Sequence, residues 1–365
     1  MMPLKSLFFS IVLVYLAPLA SWTQGIVPTM DFNNYFVSFQ DGFFRPVEIQ
    51  PIVNYKAGDE IVAYIDTRGN LKIYDGKQRI DVTTLNVDYQ VSDHLMAYRI
   101  ANGLRMWDAG KFTVLTNFGR DFIVKDSLIV YEDTRYQSLN VYWNQKMESL
   151  VTITNGLSMN AKVGENLVVY KDNSNTYFVY WVGQKFEVGT YNEEVLDFQL
   201  GTDVMCFKDP YTQSFFVFDK GNFVELESFP IKKYKAGRGF VVYEDMNGNL
   251  WHYQNGQKTA LSNFSTDHWD VKDDICVWME NSYFFAYTNN ERIQVATYQP
   301  QQYMLKNNVL VFRNIIGGTS ALVDGVLHDI TNFQNADFEI FGNKVLVKLP
   351  NLTSIVFANG RIYSN

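Results

Sequence analysis

The side chains with the widest chemical scope in this chain are acids that recur at one position of a repeated pattern. Asp66, Asp133, Asp172, Asp209, Asp245 and Glu280 each close a short apolar run of similar composition. If those runs stand side by side around an axis, the acids form a ring of carboxylates. Such a ring would bind cations or basic groups, and mutual repulsion would raise its pKa values. Two close members could act as general acid and base on a polymer. The loops after these acids, such as 66–70, 172–176 and 245–249, are rich in Asp and Asn. Hard oxygen ligands of that kind could hold calcium, although no loop completes an EF-hand pattern. Asp and Asn also stabilise hairpin loops by bonding to their own backbone, and repetition in successive units favours that architectural role. Tyr136, Tyr211 and Tyr283 fall in the same class of loop, where flat rings could stack on sugars.

Other chemistry finds little purchase. The four histidines, His94, His252, His268 and His328, are widely spaced, and no His-Glu-x-x-His or Cys-x-x-Cys occurs, so a zinc site is not expected. No Gly-x-Ser-x-Gly elbow, Walker A loop or dinucleotide-binding glycine pattern is present. No catalytic residue and no cofactor are expected, with calcium in the acidic loops as the one exception. The formal net charge of −8 and pI near 5.1 argue against nucleic acid as partner, because a phosphate backbone calls for clustered Lys and Arg. Cys206 and Cys276 sit inside apolar runs and read as small core residues rather than a disulfide.

What positions the acids is a repeat. The pattern of two apolar residues, a small or β-branched residue and an aromatic begins at Ile61 to Tyr64 and places its key residue at Tyr64, Tyr98, Tyr131, Tyr170, Phe207 and Tyr243. It continues through Trp278, Phe312 and a degenerate copy at Lys348, with gaps of 33 to 39 residues. A second register, an apolar strand ending in an aromatic followed by a tight turn, runs in parallel from Phe39 through Tyr74, Trp107 and Tyr142 to Phe357. Each unit reads as four short strands, a to d, exemplified by 88–91, 95–100, 104–108 and 111–115. The a–b turns include Gly58-Asp59, Ser92-Asp93, Lys125-Asp126, Gly164-Glu165 and Gly201-Thr202; the c–d turns include Asp41-Gly42, Asn255-Gly256 and Asp324-Gly325. Asn-Gly and Asp-Gly suit type I′ hairpins, whose central residues need positive φ. A four-stranded unit of about 35 residues cannot bury both faces alone and must stack on neighbours.

The expected fold is therefore all-β: a β-propeller of about 8–10 four-stranded blades with a repeat of about 35 residues. Two five-bladed propellers, divided near residues 195–200, are the alternative. Nine units are complete; an earlier one, from Ile26 to Ile49, lacks strand a.

The N-terminus has the pattern of a cleavable export signal over residues 1–24. Lys5 precedes an almost wholly apolar run from Leu7 to Ala20, followed by small residues. Cleavage is expected between residues 20 and 24, which would remove Trp22. No cysteine near that site offers lipid attachment, and no later segment reads as a membrane-spanning helix. Residues 25–365 would then form a single propeller domain in the periplasm or outside the cell.

The strand Val241 to Asp245 and the hairpin Leu250 to Gln257 resemble those of bacterial exported β-propeller repeat proteins, loosely the WD40-like and TolB-like group. The Gly-His and Trp-Asp signature of WD40 repeats is missing apart from an isolated Trp107-Asp108. That resemblance implies a binding or assembly platform. The function expected is non-catalytic interaction with a protein or glycan of the cell envelope. A lectin-like glycan-binding module is the alternative, and a polysaccharide-active enzyme using carboxylates at the propeller mouth is a weaker third reading.

Overall fold

The structure is a computed structural model describing residues 25–85, 87–153, 161–192, 195–266 and 268–365. The expected export signal lies outside these residues.

Each apolar run becomes a β-strand, and successive strands pair antiparallel in sequence order. The unit read at residues 88–115 forms strands Asp88–Val91, Leu95–Ile100, Gly103–Asp108 and Lys111–Thr116. Type I′ geometry appears at Asn255-Gly256 (φ 49° and 79°) and Asp324-Gly325 (50° and 81°), but not at the c–d turn Asp75-Gly76, where only the glycine has positive φ (84°).

Eight sheets have four strands and the first has six. In order these six are β1 (Val27–Met30), β2 (Tyr35–Gln40), β3 (Phe43–Ala57), β4 (Val62–Asp66), β5 (Leu71–Tyr74) and β6 (Arg79–Thr83). The long β3 serves two units. Its first part pairs with β2, and its last residues, Ile52 to Ala57, pair with β4. The first unit therefore has strands b, c and d but no strand a.

Packing counts the units independently. The buried apolar residues fall into ten clusters, each bridging two neighbouring units. Val27 and Phe39 of the first unit pack with Leu346 and Val356 of the last sheet. The cluster containing Val179, Phe198 and Phe218 runs unbroken across residues 195–200. Ten interfaces that join end to end make one closed ring, which excludes two five-bladed propellers. Alternating large apolar side chains from facing sheets fill each interface, as stacked repeats require. Cys206 and Cys276 are both buried and free within these clusters.

First strands of successive sheets touch one another, so strand a lines the axis. Successive a–b turns also hydrogen-bond in a chain, for example Glu60 N–H to the Asp93 carbonyl at 2.8 Å and Arg238 N–H to the Asp273 carbonyl at 2.6 Å. This explains the glycines of these turns. A Cβ on Gly58 would stand 1.8 Å from the Ser92 carbonyl oxygen, and one on Gly201 only 1.9 Å from that of Gly237. These glycines permit contact between neighbouring turns, in addition to the reversal read from the sequence.

One register differs from the sequence reading. Phe312 pairs with Tyr303, and the matching pair in the last sheet is Val347 with Phe338. Val347, not Lys348, holds the repeat's key position; Lys348 corresponds to Arg313. A Val in place of the usual aromatic hides the register.

Candidate functional site

Because strand direction alternates, b–c loops and d–a connections share one end of the ring, and a–b and c–d turns the other. All nine residues singled out in the loops lie at the first end.

The six acids stand one per sheet and are occupied within their own loops. Asp66 Oδ1 accepts the N–H groups of Arg68 and Asn70, both at 2.9 Å, and its Oδ2 meets Lys72 Nζ at 3.1 Å. Burial works to raise the Asp66 pKa, but these donors outweigh it and bring it down to about 2. Asp133 accepts from the backbones of Arg135 and Tyr136 and from Thr116 Oγ1. Asp172, Asp209 and Asp245 each accept two backbone N–H groups of the following residues. Glu280 binds Arg292 at 2.9 Å and Trp278 Nε1 at 3.3 Å. Against the upward push of burial, these bonds hold Asp209, Asp245 and Glu280 below the ordinary carboxylate range. Such carboxylates close turns. No group of three or more His, Cys, Asp or Glu side chains is placed to hold a metal among the described residues.

The tyrosines are the accessible members. Tyr136 is 66% exposed, Tyr211 61% and Tyr283 41%. Tyr211 stacks on Tyr191 with centroids 5.7 Å apart, and the Arg135 guanidinium covers both Tyr136 and Phe118. Thr134 ties this loop to the preceding d–a connection, its N–H donating to the Phe118 carbonyl at 2.8 Å.

That connection carries a feature the sequence reading passed over. Leu85, Phe118, Phe229, Phe264 and Phe333 sit at equivalent d–a positions and are between 40% and 73% exposed. Four of them are held by one device: the hydroxyl two residues earlier accepts their N–H. The pairs are Thr83 with Leu85 (3.2 Å), Thr116 with Phe118 (3.0 Å), Ser262 with Phe264 (3.1 Å) and Thr331 with Phe333 (3.2 Å). The signal was legible as Thr-Asn-Phe at 116–118 and 331–333 and Ser-Asn-Phe at 262–264. Met246, Ile315, Ile316 and Leu352 of the b–c loops add exposed apolar surface at the same end. These side chains stand one per connection on separate units, all at this end of the ring.

The opposite end is polar. Asp59 is its hub: Oδ1 receives Lys306 Nζ at 2.6 Å and Gly342 N–H at 2.9 Å, while Asn307 donates to Oδ2 at 3.3 Å. Asp93 Oδ1 accepts the Asp59 N–H at 3.1 Å, and Asp126 Oδ1 accepts the Asp93 N–H at 3.3 Å. Burial, then the charges of Asp93 and Glu165, push the Asp126 carboxyl up to about 7. These acids belong to the a–b turns and read in the sequence only as turn formers.

No curated protein matches the sequence. Among solved structures, the chain is similar to the computationally designed Ika8 protein, with 12% identity, 79% of this chain and 96% of that one covered, and a TM-score of 0.34. It is also similar to Kluyveromyces lactis Hsv2p (14% identity, 67% and 96% covered, TM-score 0.32) and to Saccharomyces cerevisiae Prp20p (9%, 61% and 80%, 0.32). Likenesses this distant carry no functional weight. A family model described as a 10-bladed beta propeller domain matches residues 20–363, in agreement with the ten packing interfaces. The chain belongs to the 10-bladed beta propeller domain family.

Proposed function

We propose that this protein is an exported, non-catalytic interaction platform, working in the periplasm or outside the cell and taking a protein of the cell envelope on its b–c/d–a end. The observation that carries this reading is the set of exposed apolar side chains at equivalent positions, Leu85, Phe118, Phe229, Phe264 and Phe333, four of which, all but Phe229, are anchored by hydroxyls of the preceding strands. Aromatic anchors on a rigid scaffold supply contact area at little cost in side-chain entropy. The neighbouring carboxylates are engaged in closing loops, which supports a binding role over acid–base chemistry.

A glycan partner is the second reading, favoured by the exposure of Tyr136 and Tyr211, 66% and 61%. One experiment separates the two. The chain from residue 25 onward is used to capture partners from envelope extracts and, in parallel, to probe a glycan array. The comparison is a Phe229→Ser/Phe264→Ser/Phe333→Ser variant. A protein captured by the wild type and lost by the variant is the expected result. Identical captures by both would sink the reading, and array hits without protein capture would favour the glycan.

A further inference from the structure

In three units the aromatic residue near the end of strand c reaches back to the sheet before it. The Tyr74 hydroxyl donates to Gln40 Oε1 at 3.4 Å, that of Tyr142 to Asp108 Oδ2 at 2.8 Å and that of Tyr253 to Asp219 Oδ2 at 3.4 Å. Each acceptor directly follows the equivalent aromatic of the preceding unit, namely Phe39, Trp107 and Phe218. Trp107 holds this same position in its own unit: it stands opposite Met96, as Tyr74 stands opposite Val62 and Tyr142 opposite Ile129. Its counterpart in the preceding unit is Asp75, the residue after Tyr74. Here the link is not made. Trp107 is only 3% exposed, and its Nε1 is buried without a hydrogen-bond partner. Asp75 Oδ1 instead accepts the N–H groups of Lys77 and Gln78, at 2.9 and 2.8 Å. Buried donors are seldom left unpaired.

Trp107 and Asp75 both line a cavity of about 670 Å³. Its walls come from three consecutive units that touch one another. Trp107 packs in one cluster with Ile61, and a Cβ on Gly76 would stand 3.0 Å from Gln40 Nε2 and 3.5 Å from Ile26 Cδ1. Ile26, Ile61 and the indole supply apolar lining, while Gln40, Asp75 and Gln78 supply donors and acceptors. An indole N–H can only donate. Its missing partner is therefore an acceptor, which ammonium groups and metal cations are not. Asp41, Asp75 and Asp108 around the cavity disfavour an anion. A neutral hydroxyl satisfies both sides, accepting from Nε1 and donating to the carboxylate as the Tyr142 hydroxyl does to Asp108.

We propose that this cavity binds a neutral saccharide, one of its hydroxyls bridging Trp107 Nε1 and the Asp75 carboxylate and its C–H faces lying against Ile26 and Ile61. A sugar carries both the hydroxyls and the apolar faces that such a mixed lining calls for, and the cavity is far larger than a single hydroxyl needs. The site lies at the turn end of the ring, opposite Tyr136 and Tyr211, and is independent of the platform reading and of the glycan reading that rests on those tyrosines.

The test follows the Trp107 indole N–H in proton–nitrogen correlation spectra of the isotope-labelled chain from residue 25 onward, its signal assigned by its loss in Trp107→Phe. Glucose, galactose, mannose and N-acetylglucosamine are titrated separately, with ethylammonium chloride and sodium acetate as comparison ligands. At least one sugar should shift that signal saturably, and neither salt should. Calorimetric affinity for that sugar should fall about tenfold in Trp107→Phe, which loses the donor but keeps an aromatic ring. It should vanish in Trp107→Tyr, whose hydroxyl would take Asp75 for itself as Tyr142 takes Asp108. Thermal melts establish that both variants fold. A signal that no sugar moves would overturn the proposal, as would an equal response to either salt or an affinity unchanged in folded Trp107→Tyr. So would sugar binding that is lost in Tyr136→Ala/Tyr211→Ala instead, which would place the sugar at the other end.

Discussion

Lys348 Nζ lies 3.1 Å from the Tyr55 hydroxyl, although 293 residues separate them. Lys348 also pairs with Glu339 at 2.8 Å and stands 5.7 Å from the centre of the Tyr55 ring. Its counterpart Arg313 covers Phe338 of the next sheet in the same way. In most units, then, the next strand a is adjacent; for Lys348 it belongs to the unit after next, since the first unit has none. A side chain thus bridges the place where a strand is missing. Replacing Lys348 with Met should lower stability by roughly 1 kcal/mol, the usual worth of a partly exposed charged hydrogen bond, while Lys348→Arg should retain most of it. Urea unfolding midpoints are the measurement. An unchanged midpoint in Lys348→Met would mean the bridge contributes nothing to closure.

The Asp126 carboxyl predicts a pH dependence of definite sign. Its folded pKa, about 7, lies above the ordinary carboxylate value, so the folded state binds the proton more tightly. The stabilisation is complete below about pH 4 and is lost as pH rises through about 7. Asp126→Asn keeps the neutral form at all pH values. Melting temperatures of wild type and variant should agree near pH 4 and diverge toward pH 8, with the variant more stable. Divergence in the opposite direction would place the charged carboxylate in a favourable setting.

Asp66 behaves conversely. Its pKa is lowered to about 2 by the donors of its own loop. The resulting stability is present above about pH 4 and disappears as pH falls through about 2, amounting to roughly 2 kcal/mol. Asp66→Ala should therefore cost about that much at pH 7 and progressively less as the pH is taken below 4. A cost independent of pH would assign the residue's role to packing.

How far the sequence could be read follows from where the repeat is strict. Strands b and c pack on both faces, so their alternation of apolar and aromatic residues is strong, and Leu95–Ile100 appears at the predicted residues. Even the missing strand a of the first unit was visible as a short repeat. The last sheet slipped by one because Val347 replaces an aromatic. The loop acids stood out by type, yet whether a carboxylate bonds its own backbone or meets another carboxylate depends on loop geometry. The acids that do converge, Asp59, Asp93 and Asp126, come from separate turns that touch only when the ring closes. The unpartnered indole of Trp107 was hidden for the same reason, since its counterpart Asp75 follows β5 of the preceding sheet.

The turn-to-turn contacts around the axis predict an asymmetry between glycines. At Gly201 an added Cβ would meet the Gly237 carbonyl oxygen at 1.9 Å, whereas at Gly256 nothing lies within 4 Å, though φ there is +79°. Gly201→Ala should cost more than about 2 kcal/mol by forcing neighbouring turns apart. Gly256→Ala should cost about 1 kcal/mol through backbone strain alone. Chemical denaturation of the two variants checks the order, and equal costs would show that the a–b turns are not in contact.

Closure of a single ring is tested most directly between its two ends. Thr29 Oγ1 and Ser354 Oγ are 2.7 Å apart and both residues are buried, 325 positions apart in the chain. In a Thr29→Cys/Ser354→Cys variant, mild oxidation should form one intramolecular disulfide in the folded monomer, read by intact mass and non-reducing electrophoresis, while buried Cys206 and Cys276 stay reduced. A folded variant that forms no such bond, or forms it only between molecules, would contradict a ring in which the first unit packs against the last.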